Sequence, residues 1–408
     1  MKAKYLLTSS IVLLGLAMPV FANDPCCPKP QKPCPPPCVP VCCPAIVEDC
    51  CTFSRCPPTN QVTPNAGPRV KGGYDFFIEG AFTYWTAHED GLAYAFVQDG
   101  PLGTTFVGSQ VPSTQVQLPS FDWRPGFKLG IGMSPCYDGW DVFLDYTWFR
   151  SNSNRSSVTV DPALTADVED AYWLVNAPLI RGILDEVDVA APFVDTNTFN
   201  FYEQANAKWG VQLNVFDLEL GRNAYVSRRI TLRPYVGLKG MWGHQRYTVA
   251  FSDPLNPDSA FSGSTTMNNK IKNWGIGIRP GIDTAWHLGE SFSLLGEFAF
   301  TALWEQFKVT RVDQTVIDVA IGPLPAGTVT TGVNHTMSYY NLKPVVELFL
   351  GFRWETWTCK ESFHFAIDAG WEQQIWFGQN QFLRIEALDS DHGDLGIQGV
   401  TVRARMDF

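Results

Sequence analysis

The chain has 408 residues, 45% of them hydrophobic, 13% aromatic and 17% charged, with a formal net charge of −11. This apolar and aromatic content excludes a disordered chain, and the acidic balance argues against nucleic acid as a partner. Mean hydropathy is near zero, and beyond the N-terminus no apolar run reaches the roughly eighteen residues of a membrane helix, so a helical membrane bundle is excluded as well.

The first element reads as a signal peptide over residues 1–22. Lys2 and Lys4 form a short basic region, Leu6 to Val20 is nearly unbroken apolar sequence, and Val20-Phe21-Ala22 offers small residues where a signal peptidase cleaves. The run is shorter than the roughly twenty residues a membrane-spanning helix needs, and Pro19 interrupts its end. Cleavage after Ala22 and export are expected. No cysteine directly follows Ala22, so a lipoprotein anchor is not indicated.

Residues 23–72 form a cysteine- and proline-rich arm. It holds Cys26, Cys27, Cys34, Cys38, Cys42, Cys43, Cys50, Cys51 and Cys56, leaving only Cys136 and Cys359 for the rest of the chain. In an exported chain these cysteines are disulfide candidates. An odd number leaves at least one to pair outside the arm, so cross-linking to another envelope protein or to a second copy stands beside internal bridging. The spacing Cys34-x3-Cys38-x3-Cys42 also resembles a zinc-ligand run. The arm has no histidine, and its prolines and adjacent Cys-Cys pairs suit an extended tether better.

From Gly73 onward the chain alternates at period two. Phe121, Trp123, Pro125, Phe127, Leu129, Ile131 and Met133 share one parity, with Asp122, Arg124, Gly126, Lys128, Gly130 and Gly132 on the other. Trp140, Val142, Leu144, Tyr146 and Trp148 stand opposite Asp141, Asp145 and Thr147. Phe292, Leu294, Phe298, Phe300 and Trp304 stand opposite Ser293, Glu297, Thr301 and Glu305. Such a split is required of a sheet with one face in lipid and one in water, and closing the sheet pairs every backbone group inside the bilayer. Similar segments run over Tyr74–Trp85, Leu232–Trp242, Trp274–Trp286, Leu342–Trp354 and Phe363–Trp371. Trp209–Leu220 fits if a bulge near Phe216 and Asp217 flips its register. The expectation for residues 73–408 is therefore an all-β, transmembrane antiparallel β-barrel of about ten strands, or twelve or more if Leu164–Val187 is a hairpin and not a helix.

Connections alternate in length. Pro135–Gly139, Asn223–Arg229, Leu288–Ser291 and Thr358–Ser362 are short, whereas His88–Ser120, Ser151–Glu203, Phe251–Asn269, Asp313–His335 and Gly378–Asp394 read as long loops. Short periplasmic turns opposite long extracellular loops are the topology of outer-membrane barrels. Tyr84, Trp85, Trp140, Tyr146, Trp148, Trp242, Trp274, Trp286, Trp304, Trp354 and Trp357 are expected in two interfacial girdles. Parity turns Arg124, Lys128, Asp141, Asp145, Arg233, Lys239, Arg279, Asp283, Glu297 and Glu347 toward the lumen, together with Asp75, Glu79, Asp368 and Glu372. Four of the basic positions, Arg124, Arg233, Arg279 and Lys343, precede a proline, which is expected at a strand end or bulge because it cannot donate to the ladder. Mixed charge of this kind suits a hydrated, salt-bridged lumen.

The tail Val400-Thr401-Val402-Arg403-Ala404-Arg405-Met406-Asp407-Phe408 alternates to its end. A terminal aromatic, Phe408, resembles the signal that outer-membrane barrels present to the barrel assembly machinery. Partners are thus that machinery, outer-membrane lipid and disulfide-linked envelope proteins or a second copy. No cofactor is implied.

The motif Asp122-Trp123-x-Pro125-Gly126-Phe127-Lys128-Leu129-Gly130-Ile131-Gly132, followed by Asp138-Gly139-Trp140-Asp141 and Tyr146-Thr147-Trp148, resembles the Legionella-type major outer-membrane protein (MOMP-like) family, which has members among environmental relatives of the chlamydiae. Gly80-Ala81-Phe82-Thr83-Tyr84-Trp85-x-Ala87-x-Glu89-Asp90-Gly91-Leu92 is similar to that family's first strand and loop. The resemblance covers roughly residues 73–408. It implies an abundant cell-surface barrel, porin-like and sometimes adhesive, and no catalytic residue. The cysteine-rich arm departs from the family pattern and is similar to the disulfide cross-linking of chlamydial envelopes.

Three functions remain in view: a porin-like passage for small solutes, a structural or adhesive surface barrel tied to neighbours through its cysteines, and a barrel hydrolase. The hydrolase would draw on His88, Glu89 and Asp90 with Asp389, Asp391, His392 and Asp394 at the rim, residues that in polar loops are ordinarily just solvated. The stretch Leu388–Asp394 also alternates oxygen ligands as a calcium loop does, without the glutamate an EF-hand requires. A barrel of about ten strands is narrow, since about eight already leave an interior filled by side chains.

Overall fold

Alternation at period two, with β-branched and aromatic residues on the apolar parity, folds this chain into strands throughout its described part. The structure, a computed structural model, describes residues 65–70, 75–99, 113–134, 139–159, 171–174, 202–254, 261–289, 291–319, 327–358, 362–383 and 393–408. The chain divides into two compact units, Met1–Asp49 and Cys50–Phe408, and the described residues all belong to the second. The signal segment, Cys26 to Cys56, Cys136, Cys359 and Asp389 to His392 lie outside them.

In chain order the strands are β1 (Phe76–Glu89), β2 (Ala95–Asp99), β3 (Ser113–Gln117), β4 (Trp123–Met133), β5 (Trp140–Asn152), β6 (Ser156–Thr159), β7 (Ala171–Leu174) and β8 (Tyr202–Arg222). They continue as β9 (Ala224–Tyr225), β10 (Ile230–Pro254), β11 (Phe261–His287), β12 (Phe292–Val319), β13 (Gly327–Thr358), β14 (Phe363–Trp376) and β15 (Leu395–Asp407). Ten of these close an antiparallel barrel in the order β1, β4, β5, β8, β10, β11, β12, β13, β14, β15. The closing pair runs from Phe77 opposite Asp407 to Glu89 opposite Leu395. Phe76 and Phe408 exchange backbone hydrogen bonds of 3.2 and 2.9 Å, so the last residue seals the seam.

Two extra strands join the barrel sheet: β6 pairs with β8 and β9 with β10. A separate small sheet has the order β3, β2, β7. The described part of the segment Leu164–Val187 is β7, which joins that sheet; its remaining residues lie outside the described ones.

Lipid-facing residues run between two aromatic belts. Trp140, Trp286, Phe292 and Trp354 are exposed near the short turns, and Tyr84, Trp123, Trp242, Trp274, Trp304, Tyr340 and Trp371 near the long connections, whereas Trp357 holds the inward parity of β13 and packs on the buried His364. From Phe292 to Trp304 on β12, a rise of about 3.3 Å per residue and a tilt near 45° give roughly 28 Å between belts, enough for the hydrocarbon core. Trp85 does not belong to a belt. It is buried inside the barrel and donates from Nε1 to Thr401 Oγ1 at 3.0 Å.

Past the upper belt the polarity of the sheet inverts. On β10, Trp242 faces outward, but the next outward residues are His244, Arg246 and Thr248, while Met241, Tyr247, Val249 and Phe251 turn inward and are buried. Likewise β11 sends Ile271 and Met267 inward with Lys272 and Lys270 outward, and β12 sends Phe307 and Val309 inward with Lys308 outward. Below the belt the wet face is inside and the lipid face outside; above it the sheet stands in water and its dry face is inside.

This inversion corrects two expectations. The register of β8 runs unbroken against β5 and β10 through Phe216 and Asp217, so there is no bulge. Trp209, Val211, Leu213 and Val215 are inward residues of the upper apolar core, and Phe216, Leu218 and Leu220 are outward residues of the lipid face. The stretches Phe251–Asn269 and Asp313–His335 are mostly not loops: β10 continues to Pro254, β11 begins at Phe261, β12 continues to Val319 and β13 begins at Gly327.

The basic-proline steps follow the ladders. The β4–β5, β8–β10 and β13–β14 pairings start at Phe127, Tyr235 and Val345, just past Pro125, Pro234 and Pro344. Each of these prolines thus lacks an N–H on a side where the ladder has ended. Pro280 lies inside β11 instead, and the β11–β12 pairing is interrupted between Ile278 and Gly281.

Candidate functional site

The inward parity at bilayer depth builds a cavity of about 180 Å³. Its walls include the carboxylates Glu79, Asp145, Asp217, Glu219, Asp283, Glu297, Glu347 and Glu372 and the cations Lys128, Arg233, Lys239, Arg279, Arg353, Arg403 and Arg405. Eight acids against seven bases leave this wall close to neutral, so bulk charge alone imposes no strong ion preference.

Two clusters divide the wall. In the first, Arg233 grips Asp141 with Nε at 3.0 Å and Nη2 at 2.6 Å, and its Nη1 donates to Glu219 and Asp283, each at 2.8 Å. Arg279 donates to Glu347 at 2.7 and 2.9 Å and also to Glu219. Lys239 reaches Asp217 at 2.9 Å and Glu347 at 2.7 Å. The Tyr235 ring lies between the two guanidiniums, each 5.2 Å from its centroid. Room for Arg233 comes from Gly221, where a Cβ would stand 2.7 Å from the guanidinium.

In the second cluster, Lys128 meets Glu372 at 2.6 Å, Arg353 meets Asp368 at 2.7 Å, and Arg403 meets Glu297 at 2.8 Å and Asp368 at 3.2 Å. Arg403 also lies over the Phe349 ring. Lys128 and Glu372 sit on β4 and β14, three strands apart around the barrel, as do Arg403 and Glu297 on β15 and β12. Side chains that meet across that separation cross the lumen and do not merely line it. The lumen at this depth is narrow and filled by ion pairs.

Lys128, Asp145, Arg233, Lys239, Arg279, Asp283, Glu297 and Glu347 thus stand in the cavity wall. Asp141 lies below it, held by Arg233. Arg124 sits at the long-connection end, donating to Asp122 at 2.9 Å and to the Asn152 carbonyl at 3.3 Å. Sequence reasoning omitted Asp217 and Glu219, although both stand on the inward parity opposite Phe216, Leu218 and Leu220. It also omitted Arg353, Arg403 and Arg405, which hold the inward parity of β13 and β15 plainly.

Above the cavity the interior turns apolar. Trp85, Phe149, Trp209, Met241, Tyr247, Ile271, Leu303, Phe307, Trp376 and Leu395 form one buried cluster. Residues Phe377–Leu383, after β14, fold into this mouth. Gln379 donates to Glu305 at 2.7 Å, Asn273 donates to both Glu305 and Gln379 at 2.9 and 3.1 Å, and Asn380 donates to the Asp90 carbonyl at 2.7 Å. Tyr339 donates to Gln381, Arg311 donates to the Leu383 carbonyl at 2.8 Å, and Phe382 packs against Tyr247. Gln379, Asn380 and Gln381 are almost fully buried. The segment is a plug bonded to β11, β12 and β13.

The described rim residues considered for hydrolysis, His88, Glu89, Asp90 and Asp394, meet through the backbone, where the Asp90 N–H donates to the Asp394 carbonyl at 3.0 Å, and through the His88–Asp90 contact. His88 is exposed, packs on Phe121 and lies 3.5 Å from Asp90, whereas the next residue, Glu89, points inward and is buried. Asp394 accepts from the Gly378 N–H at 2.7 Å. Among the described residues no group of histidine, cysteine or acidic side chains is arranged to hold a metal.

A closed ten-stranded barrel with two aromatic belts, a lipid-facing apolar band and a charged interior is an outer-membrane β-barrel. Residues 67–408 match the family of the Legionella pneumophila major outer membrane protein precursor, and the chain belongs to that family. No curated protein matches the chain. Among solved structures the chain is similar to the outer membrane protease OmpT from Escherichia coli, with 8% identity, 82% of this chain and 96% of that chain covered, and a TM-score of 0.31. It is similar to a Pseudomonas aeruginosa FadL homologue, at 8% identity, 82% and 90% coverage and a TM-score of 0.22. It is also similar to the Pseudomonas putida toluene transporter TodX, at 8% identity, 82% and 89% coverage and a TM-score of 0.25. At that distance the likenesses carry no functional information.

Proposed function

We propose that the barrel is a narrow, porin-like passage for small hydrophilic solutes, with its short turns in the periplasm and its long connections outside. The charged cavity at bilayer depth carries this reading. Buried ion pairs give no advantage in stability over apolar side chains of equal volume, and this same chain fills the upper barrel with apolar residues. A charged interior concentrated at bilayer depth, with only scattered buried polar groups such as Glu89, Glu305, Arg311 and Asp313 above it, is therefore selected for something other than stability. Solutes would cross by exchanging contacts with Arg233, Arg279, Lys239 and their carboxylates, so passage is passive and set by size and by local charge. The segment Phe377–Leu383 would act as the outer constriction.

The test is single-channel conductance of the full mature chain in planar bilayers beside the variant Gln379→Ala/Asn380→Ala/Gln381→Ala. The expected result is small steps from the parent protein and larger, more frequent ones from the variant. Silence from both, with heat-modifiable gel migration showing folded barrels, would discard the passage.

The height of β10–β13 favours a second reading, a structural or adhesive surface barrel. From Tyr340 upward β13 has a further 13 residues, Gly327–Tyr339, rising on the order of 40 Å along the strand. In this reading Cys26 to Cys56, on an arm exposed after cleavage at Ala22, tie the barrel to envelope neighbours through disulfides. Non-reducing gels of envelopes would then show high-mass species that collapse on reduction, and a monomer under both conditions would remove the idea.

A further inference from the structure

The outer wall above the upper belt holds a concentration of positive charge that neither the lumen nor the plug uses. Cross-strand register places His244, Lys272 and Lys308 side by side on β10, β11 and β12. The next outward row pairs Arg246 with Lys270, and Lys208 on β8 stands opposite Thr248 one row higher. Arg246, Lys270, Lys272, Lys308 and Lys208 are all exposed. This is a cationic face on a chain whose net charge is −11.

Among the described residues no carboxylate lies within ion-pair distance of these five cations. Burial, and then the neighbouring Arg246, Lys272 and Lys270, hold the His244 imidazole below its usual range, with no acidic group opposing them. In the lumen, by contrast, almost every cation is matched to a carboxylate. Unmatched like charges on adjacent strands cost stability, so a matched external anion would relieve a real repulsion.

The location indicates which anion. Trp242 pairs with Trp274, whose Nε1 donates to the cross-strand Gln306 Oε1 at 2.6 Å, and Gln306 pairs with Tyr340. The row of His244, Lys272 and Lys308 begins two residues above this ledge, about 5 Å higher at the tilt of a barrel strand, and Arg246 and Lys270 about 10 Å higher. That interval is the headgroup layer of the adjoining leaflet. Below the ledge, Ile276, Ile278 and Leu342 face outward and would meet acyl chains.

We infer that the outward face of β10–β12 above the Trp242–Trp274 ledge is a binding site for a phosphorylated glycolipid of the outer leaflet. The phosphates sit among Arg246, Lys270, Lys272 and Lys308, the sugars lie on the Trp242, Trp274 and Tyr340 rings, and the acyl chains cover Ile276 and Ile278. The inference rests on the orientation given above, with the long connections outside, but not on whether solutes pass. A lipid phosphate on this wall is held both by charge and by the apolar surface beneath it, which a free anion or a soluble acidic protein cannot use.

The experiment uses the full mature chain refolded in a zwitterionic detergent, with binding read by native mass spectrometry and by the shift in the heat-modifiable transition. The probes are a bisphosphorylated lipid A, the same glycolipid with both phosphates removed, and inorganic phosphate. Bound lipid A, little binding of the dephosphorylated form and no shift with inorganic phosphate are expected. The variant Arg246→Gln/Lys270→Gln/Lys272→Gln/Lys308→Gln should weaken lipid A binding at least about tenfold, given the strength of each basic residue near an anionic surface. Should that variant fail to fold, Lys272→Gln/Lys308→Gln, which changes one row only, serves the same comparison. Arg228→Gln, an exposed cation in the short turn between β9 and β10 at the opposite end of the barrel, should bind as the parent does. Equal binding of both glycolipids, an equal shift with inorganic phosphate, or undiminished binding by the folded variant would overturn the proposal. Conductance measured in parallel separates this result from the passage reading, since the substituted side chains face away from the lumen.

Discussion

Lys239 on β10 and Glu347 on β13 meet at 2.7 Å although their strands are separated by two others around the wall. Lys239 is 1% exposed, and its ammonium also lies 5.7 Å from the ring centroid of Trp376, a member of the buried apolar cluster. The pair therefore ties the charged lumen to the apolar cluster above it. Glu347 further accepts from Arg279, so one carboxylate neutralises two cations.

Glu347→Gln leaves those two cations short of an anion. Breaking a buried pair from one side costs about 3 kcal/mol, and the urea midpoint of the folded barrel is expected to fall accordingly. The freed positive charge should also move the reversal potential of any conductance in a salt gradient toward anions. An unchanged midpoint would show that the lumen is too well hydrated for this pair to matter.

Gly378 takes φ +59 at the start of the plug, and a Cβ there would stand 2.6 Å from Lys343 Nζ. Gly378→Val forces a β-branched residue into the left-handed region, at a cost of about 1–2 kcal/mol. The strain falls on the plug and not on the barrel ladder. Faster proteolysis within Phe377–Leu383, with the urea midpoint of the barrel unchanged, is the expected outcome.

Glu89 lies five residues beyond the belt residue Tyr84, wholly buried, and burial pushes its carboxyl up to about 8 from an ordinary value near 4.5. Gln245 and Trp209 are the polar groups beside it, and both oppose that rise. A raised folded pKa means that the folded state holds the proton more tightly. Its contribution is complete below about pH 4.5 and is lost as pH rises through about 8. The outer mouth should thus loosen as pH rises from about 4.5 to about 8, seen as faster hydrogen exchange at Trp209 and Gln245 after correction for intrinsic rates. Glu89→Gln should remove that dependence, and an equal change in both proteins would reject the assignment.

Ile278 faces lipid on β11, 60% exposed, while Asn268 faces outward on the same strand above the belt. Ile278→Lys should cost about 2–4 kcal/mol near the bilayer midplane and reduce the yield of heat-modifiable barrel. Asn268→Lys should leave folding within about 0.5 kcal/mol. Similar yields for both would move the membrane boundary away from the Trp242–Trp274 ledge.

The bilayer-depth part of the fold is legible in the residues because alternation there is strict. Phe292 to Trp304, Trp140 to Trp148 and the tail to Phe408 each display one apolar and one polar parity, and each is a strand with those parities out and in. Above the belt the same alternation continues with its sign reversed. Asn268, Lys270 and Lys272 beside Met267 and Ile271 look like a polar loop when apolar is taken to mean outward. The bulge invoked at Phe216 and Asp217 arose the same way, since Trp209 to Val215 face a dry interior and Phe216 to Leu220 a lipid exterior on one continuous strand.

The sequence by itself determined the class: about ten alternating spans, two belts and an inward set of charges follow from periodicity and from the cost of an unpaired backbone in lipid. Only the tertiary structure decided which inward charges meet. Arg403 and Glu297 are 106 residues apart, and Lys239 and Glu347 come together because closing the sheet brings strands from different hairpins across one narrow lumen. It likewise decided that Phe377–Leu383 fills the mouth and that Arg246, Lys270, Lys272 and Lys308 share one outer face. Period two says which side of a strand a residue occupies, whereas register, closure and the height of the bilayer decide what that side touches.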